Sequence, residues 1–272
     1  LDVPMARRQT LRNGVELHTL PDDEFEVLRL SFVFRAGSAV QRVPFSASST
    51  ANLLSEGSRD MDAQQIAEKL DFYGSYYDVN VDRDYVYLSF CSLSKFFLPT
   101  LEVAERILLG PVFPEDEVDA YRRKRKQRLA IERLKVDTKA REALAQALFG
   151  ERHPYGISYN EAAYDTLTRE DLADMYRTHY TAGNCLAVCS GNITDAHLQA
   201  IVALAERLPR GVFIAGHARA LGDGELRLDR LLHGGFVVAG MALFAADAEL
   251  DVRTDALAVV NSQLDQSADA LL

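Results

Sequence analysis

The chain has 272 residues, enough for one large or two moderate domains with a full apolar core. Its 48% apolar and 26% charged residues are the balance of an ordinary globular protein. A net charge of −10 and a pI near 5.1 argue against nucleic acid or an anionic membrane as main partner, and no run approaches the roughly 20 apolar residues of a membrane-spanning helix.

In chain order, Arg12-Asn13-Gly14 reads as a turn, and Val15 to Leu20 alternates with period two, as a half-buried strand does. Glu26 to Arg35 continues in the same way, with Leu28, Leu30, Phe32 and Phe34 on one face and Val27, Arg29, Ser31 and Val33 on the other. Asp60 is placed to cap a helix from Asp62 to Phe72, whose Ala63, Ile66, Ala67 and Leu70 form an apolar stripe that stops at Gly74. Tyr76–Val81 and Tyr85–Phe90 are β-rich runs around Asp82-Arg83-Asp84, the pattern of a hairpin. Phe96 to Leu109 is apolar at helical spacing, and Glu115 to Phe149 is helical with a break. A further helix opens at Thr168 and runs through Tyr180. Asn184 to Cys189 reads as a strand, and Asp195 to Leu208 as a helix. From Pro209 to Asp229 the composition turns to Gly, Arg and Asp, as in a linker. Gly235–Leu243 then reads as a buried strand and Asp251–Leu264 as a helix.

Three chemistries need weighing. Cys185 and Cys189 lie four apart on one strand, roughly 13 Å at strand rise, too far for a disulfide. With Cys91 they read as small buried hydrophobes, which fits a reducing, cytoplasmic compartment. Ser46, Ser48, Ser49, Ser55 and Ser58 cluster, but no Gly-x-Ser-x-Gly elbow is present and Ser48 and Ser49 fall in a helical pattern, so they read as packing or capping residues. The basic run Arg122 to Arg128 is flanked by Glu115, Asp116, Glu117, Asp119 and Glu132, and reads as a solvated or chamber-lining helix face. The six His show no pair at helical spacing; His153 is placed to shape a turn and His18 stands on a strand face.

Several segments in order, Asn13-Gly14-Val15, Arg35-Ala36-Gly37-Ser38, Gly74-Ser75, Arg83-Asp84, His153-Pro154-Tyr155-Gly156, Tyr180 and Ser190-Gly191-Asn192-Ile193, carry a resemblance to the insulinase/pitrilysin zinc peptidases, family M16. It covers about Leu11 to Leu243. The resemblance implies an α+β fold, a mixed sheet with helices packed on one side. It divides the chain into a complete N-terminal repeat (1–208), a linker (209–229) and the start of a second, truncated repeat (230–272).

In that family an inverted H-x-x-E-H helix holds zinc through two His one turn apart, beside a Glu that activates the metal-bound water. Aligned without gaps on Ala47 and Gly57-Ser58, the three positions here are Ser48, Ala51 and Asn52. The family's third ligand, a Glu on a later helix, falls at Arg128, whose guanidinium cannot ligate a metal; a register shift would bring in Glu132 as a lone carboxylate. No cofactor is therefore expected in this chain, and zinc is expected only in an active partner. The family's substrate-pairing edge strand corresponds to Tyr76–Val81, with Asp78, Val79 and Asn80 as the substrate-facing residues. The resemblance thus implies a non-catalytic homologue that binds peptide and closes a chamber with a motif-bearing homologue. The alternatives are a self-associating structural or assembly subunit and a zinc peptidase with an atypical site.

Overall fold

In the computed structural model, residues 5–211 are described, and they lie in the first of two compact units, Leu1–Gly216. The expected second repeat, and the linker from residue 212 onward, lie outside the described residues.

Six strands form one sheet in the order β1-β2-β6-β3-β5-β4: β1 Arg7–Thr10, β2 Glu16–Pro21, β3 Val27–Phe34, β4 Tyr76–Val81, β5 Val86–Leu93 and β6 Cys185–Gly191. β2 and β6 run parallel and every other neighbouring pair antiparallel, which makes the sheet mixed. The period-two pattern of β3 sets its burial. Leu28, Leu30, Phe32 and Phe34 are fully buried, while Val27 and Arg29 are exposed and Ser31 and Val33 half-buried. In register with them, Val86, Leu88 and Phe90 of β5 and Ala187 and Cys189 of β6 complete one apolar face. Each Val, Leu or Phe among them contributes roughly 1.5–3 kcal/mol on burial. The opposite face is more polar: Ser31 and Ser89 share a 2.9 Å hydrogen bond and Arg29 donates to Ser89.

Seven helices accompany the sheet: α1 Ser46–Leu53, α2 Ala63–Phe72, α3 Phe97–Leu109, α4 Glu115–Glu132, α5 Val136–Phe149, α6 Arg169–His179 and α7 Asp195–Glu206. Apolar stripes of four of them enter the same core, through Ile66 and Leu70 of α2, Leu101 and Ile107 of α3, Leu172 and Met175 of α6, and Ile201 and Leu204 of α7. The break expected between 115 and 149 is the turn Arg133–Lys135. α2 is capped by Asp62, not Asp60. The Asp62 carboxylate accepts from the Gln65 amide and the Gln65 side chain accepts from Asp62 N, a reciprocal box worth about 1 kcal/mol. Asp60 instead accepts from Ser58 Oγ and pairs with Arg106. Gly74, at φ 58°, ends α2 in the left-handed conformation that glycine adopts without strain.

Two contacts fix the end of the sheet nearest α1. A Cβ at Gly37 would overlap the Arg83 carbonyl, so only glycine lets the chain after β3 pass the β4–β5 turn. The turn His153-Pro154-Tyr155-Gly156 locks onto that same hairpin. The Tyr155 hydroxyl donates to Asp84 at 2.6 Å, and the Arg83 guanidinium lies over the Tyr155 and Phe149 rings.

Candidate functional site

α1 packs against α6, β4 and α4, and its sequence explains the close approach: Ser46, Ala47, Ser49, Thr50 and Ala51 are small and buried. Thr50 Oγ1 donates to the Leu172 carbonyl and so ties α1 to α6. The helix starts at Phe45, which holds a left-handed φ of 64°, a strained conformation for an aromatic residue. Its ring stacks on Tyr164 at 4.2 Å with a 3° interplanar angle and meets Tyr159 edge-on.

Ser48 and Asn52 stand one turn apart on the less buried side of α1, and both turn back on the helix. Asn52 Nδ2 donates to the Ser48 carbonyl at 2.7 Å, and Ser48 Oγ donates to the Phe45 carbonyl at 3.2 Å. Ala51 faces the core and is fully buried. A helix that carries donors to its own carbonyls and a methyl group presents neither an imidazole nor a carboxylate for metal or proton transfer.

Tyr121 of α4 buries its hydroxyl near Ser48 and Ser49, short of a hydrogen bond to either. Burial pushes its pKa up to about 12, against the pull of Arg125 and the two serines. Arg125 lies over the Tyr121 ring at 5.9 Å and beside Tyr164. Together Phe45, Tyr121, Tyr164 and Arg125 form an aromatic and guanidinium plug at the start of α1. Sequence reasoning missed the plug, because Tyr121 reads only as the residue ahead of a basic run. Arg128, two turns beyond Tyr121, is exposed and gives its guanidinium to Glu132 Oε1 at 2.6 Å, so those two candidates engage one another. Beyond the C-terminal end of α1, half-buried Glu56 has its pKa raised by burial and by Glu117, with Lys124 opposing.

The histidines are dispersed. His18 is on β2, 3.8 Å from Glu16; His153 accepts from the Tyr155 amide within its turn; His179 is buried at the end of α6; His197 closes the capping box of α7 with Thr194. His217 and His233 lie outside the described residues. Among the described residues no three His, Cys, Asp or Glu side chains converge as a metal-binding group. Cys185 and Cys189 are buried and their thiol pKa values are raised by burial, to about 12 for Cys189. Cys91 departs from the expected burial: it lies on the more open face of β5 and is half-buried.

Asp78, Val79 and Asn80 are on β4, which among the described residues is an edge strand paired with β5 alone, opposite Ser89, Leu88 and Tyr87. Asn80 is exposed, and Asp78 and Val79 are half-buried. Among the described residues the outer side of β4 carries no further strand, and α1 packs beside it.

Solved structures with this fold include M16 peptidase domains and other proteases. A structure described as a peptidase M16 inactive domain from Pseudomonas fluorescens superposes with a TM-score of 0.73 at 22% identity, over 77% of this chain and 52% of that one. This chain has the fold of an M16 peptidase domain. A protease from Helicobacter pylori matches the M16 fold here with a TM-score of 0.64 at 17% identity, over 78% of this chain and 52% of that one. The periplasmic protease PqqL from Escherichia coli matches with a TM-score of 0.68 at 15% identity, over 79% and 25%. The chain thus spans about half the length of the first two and a quarter of the third. No protein-family model matches the sequence, and no curated protein matches it. Among the described residues no helix is long and apolar enough to cross a membrane.

Proposed function

We propose that this chain is a non-catalytic M16 homologue that supplies peptide-binding surface and chamber wall to a motif-bearing zinc peptidase. The observation that carries the reading is the composition of α1. An M16 fold is kept, while the helix that bears the family's catalytic motif carries Ser48, Ala51 and Asn52, with Tyr121 packed where α4 meets it. The inactive M16 domain from Pseudomonas fluorescens is a precedent for the fold without the activity. Peptide is held on β4, where a substrate segment adds as a strand through main-chain hydrogen bonds beside Asp78 and Asn80. The chemistry, including zinc, belongs to the partner chain.

The test is reconstitution. The full chain is mixed with a motif-bearing M16 homologue from the same genome, and cleavage of an unstructured peptide is followed. The reading expects enhanced cleavage in the mixture over the homologue alone, together with a stable heterodimer in size-exclusion chromatography. No complex and no enhancement with any such homologue would contradict it.

A further inference from the structure

Asn13-Gly14 is the one Asn-Gly pair in the chain, and it carries a chemistry that the peptidase-partner reading does not use. In such a pair the glycine nitrogen meets no Cβ on its way to the asparagine side chain, so it loses ammonia faster than other asparagine sequences do. The Gly14 nitrogen gives up its proton to water and attacks Asn13 Cγ. The new C–N bond closes a succinimide ring, and the side-chain nitrogen leaves as ammonia. Water then opens one or other carbonyl of the ring, to aspartate or to isoaspartate.

The structure occupies each group that this step needs. Asn13 and Gly14 stand at the tip of the β1–β2 hairpin, which the Leu11 amide closes on the Val15 carbonyl at 2.8 Å. Asn13 is half-buried, while Gly14 is exposed to water. The Gly14 amide, the nucleophile, donates to the Leu11 carbonyl at 3.0 Å. The leaving nitrogen, Asn13 Nδ2, donates to the carbonyls of Ala205 at 2.9 Å and Leu208 at 3.4 Å. Asn13 Oδ1 accepts from the Val15 amide at 3.4 Å, which fixes the other end of the same group. Arg12 adds a clamp, since its guanidinium and its backbone amide both donate to Glu206.

Ala205 and Leu208 lie at the C-terminal end of α7, where the last carbonyls of a helix have no partner within it. Asn13 therefore caps α7 from the far end of the described chain. An amide suits that place and a carboxylate does not. An aspartate at position 13 would set a negative charge against two carbonyl oxygens, beside Glu206 and at the negative end of the helix dipole. Isoaspartate would also lengthen the backbone by a methylene between Leu11 and Val15, and so disturb the closing pair of the hairpin.

We infer that Asn13 is a deamidation site latched by the end of α7. The folded contact protects the amide, and reaction during an opening of that contact keeps the β1–β2 turn and α7 apart. The inference does not depend on the peptidase-partner reading, and the step consumes only water.

The full chain is incubated at mildly alkaline pH, in buffer and in denaturing urea, and conversion of Asn13 is followed by peptide mass spectrometry. Deamidation in buffer is expected to be slower than in urea by about tenfold or more, because it waits for local opening. Glu206→Gln leaves the Asn13-Gly14 pair chemically unchanged and loosens its clamp. It should speed the reaction in buffer by about two- to fivefold, the range an exposed ion pair controls, and leave the rate in urea alone. Asn13→Asp makes the product directly. It should speed hydrogen exchange at the Leu11 and Leu208 amides by about tenfold or more, and by more than Asn13→Ala, which removes the hydrogen bonds without adding the charge. Equal rates in buffer and urea would overturn the protection, and an unchanged rate in Glu206→Gln would detach the site from α7. Exchange in Asn13→Asp no faster than in Asn13→Ala would overturn the latch.

Discussion

At the scale of single residues, Ser48, Ala51 and Asn52 serve the fold. Asn52 and Ser48 spend their hydrogen bonds on the carbonyls of α1 and the residue before it, and Ala51 fills core space. Ala51→Glu should therefore destabilise the protein by about 3 kcal/mol or more in urea unfolding, because it buries a carboxylate with no partner prepared for it. Glu56 gives a pH signature. Its folded pKa is raised by burial and by Glu117, so the folded chain binds a proton more readily than the unfolded chain, and stability is lost as pH rises from about 4.5 through the folded value. Glu56→Gln should raise Tm at neutral pH, with the gap to wild type closing as pH falls toward 4. His179 works in the opposite sense. Desolvation lowers its pKa, so its contribution is intact above about 6.5 and is lost as pH falls below that value. Urea midpoints measured in His179→Gln should show a shallower fall between pH 7 and 5 than in wild type.

At the scale of elements, most of the sheet was legible because alternation is a strong local signal. β3, β5 and β6 bury the faces their period predicts. β1 escaped notice: Arg7-Arg8-Gln9-Thr10 has no apolar face, and it is a strand through pairing with β2, supported by the Arg8–Glu16 ion pair. The cap of α2 was placed two residues early, since the sequence offers Asp60 and Asp62 and only the backbone geometry chooses between them. The aromatic plug was not legible at all. Phe45, Tyr121 and Tyr164 are far apart in sequence, and a left-handed phenylalanine leaves no sequence signal. Gly37 shows how tightly these elements close on one another. Gly37→Ala forces a Cβ into the Arg83 carbonyl and should cost about 2–4 kcal/mol in urea unfolding, with far less effect from Gly14→Ala, where the space is open and only the positive φ is strained. The peptide site proposed on β4 predicts that a peptide with alternate backbone amides N-methylated binds at least tenfold more weakly than its parent, because strand addition depends on main-chain hydrogen bonds.

At the scale of the whole molecule, an M16 fold is maintained by an apolar sheet face and by reciprocal caps on α2, α6 and α7. The core lies between sheet and helices, whereas Ser48, Ala51 and Asn52 are a few side chains on one short helix, so a change at the outward-facing Ser48 and Asn52 leaves the fold in place. The chain accounts for about half the length of two of its structural neighbours. The most direct measurement is the zinc content of the purified full chain by mass spectrometry, taken together with its cleavage of an unstructured peptide in the absence of any homologue. The account predicts zinc far below one ion per chain and no cleavage. One zinc per chain with chelator-sensitive cleavage would contradict it, and would mean that residues other than Ser48, Ala51, Asn52 and Arg128 form a working site.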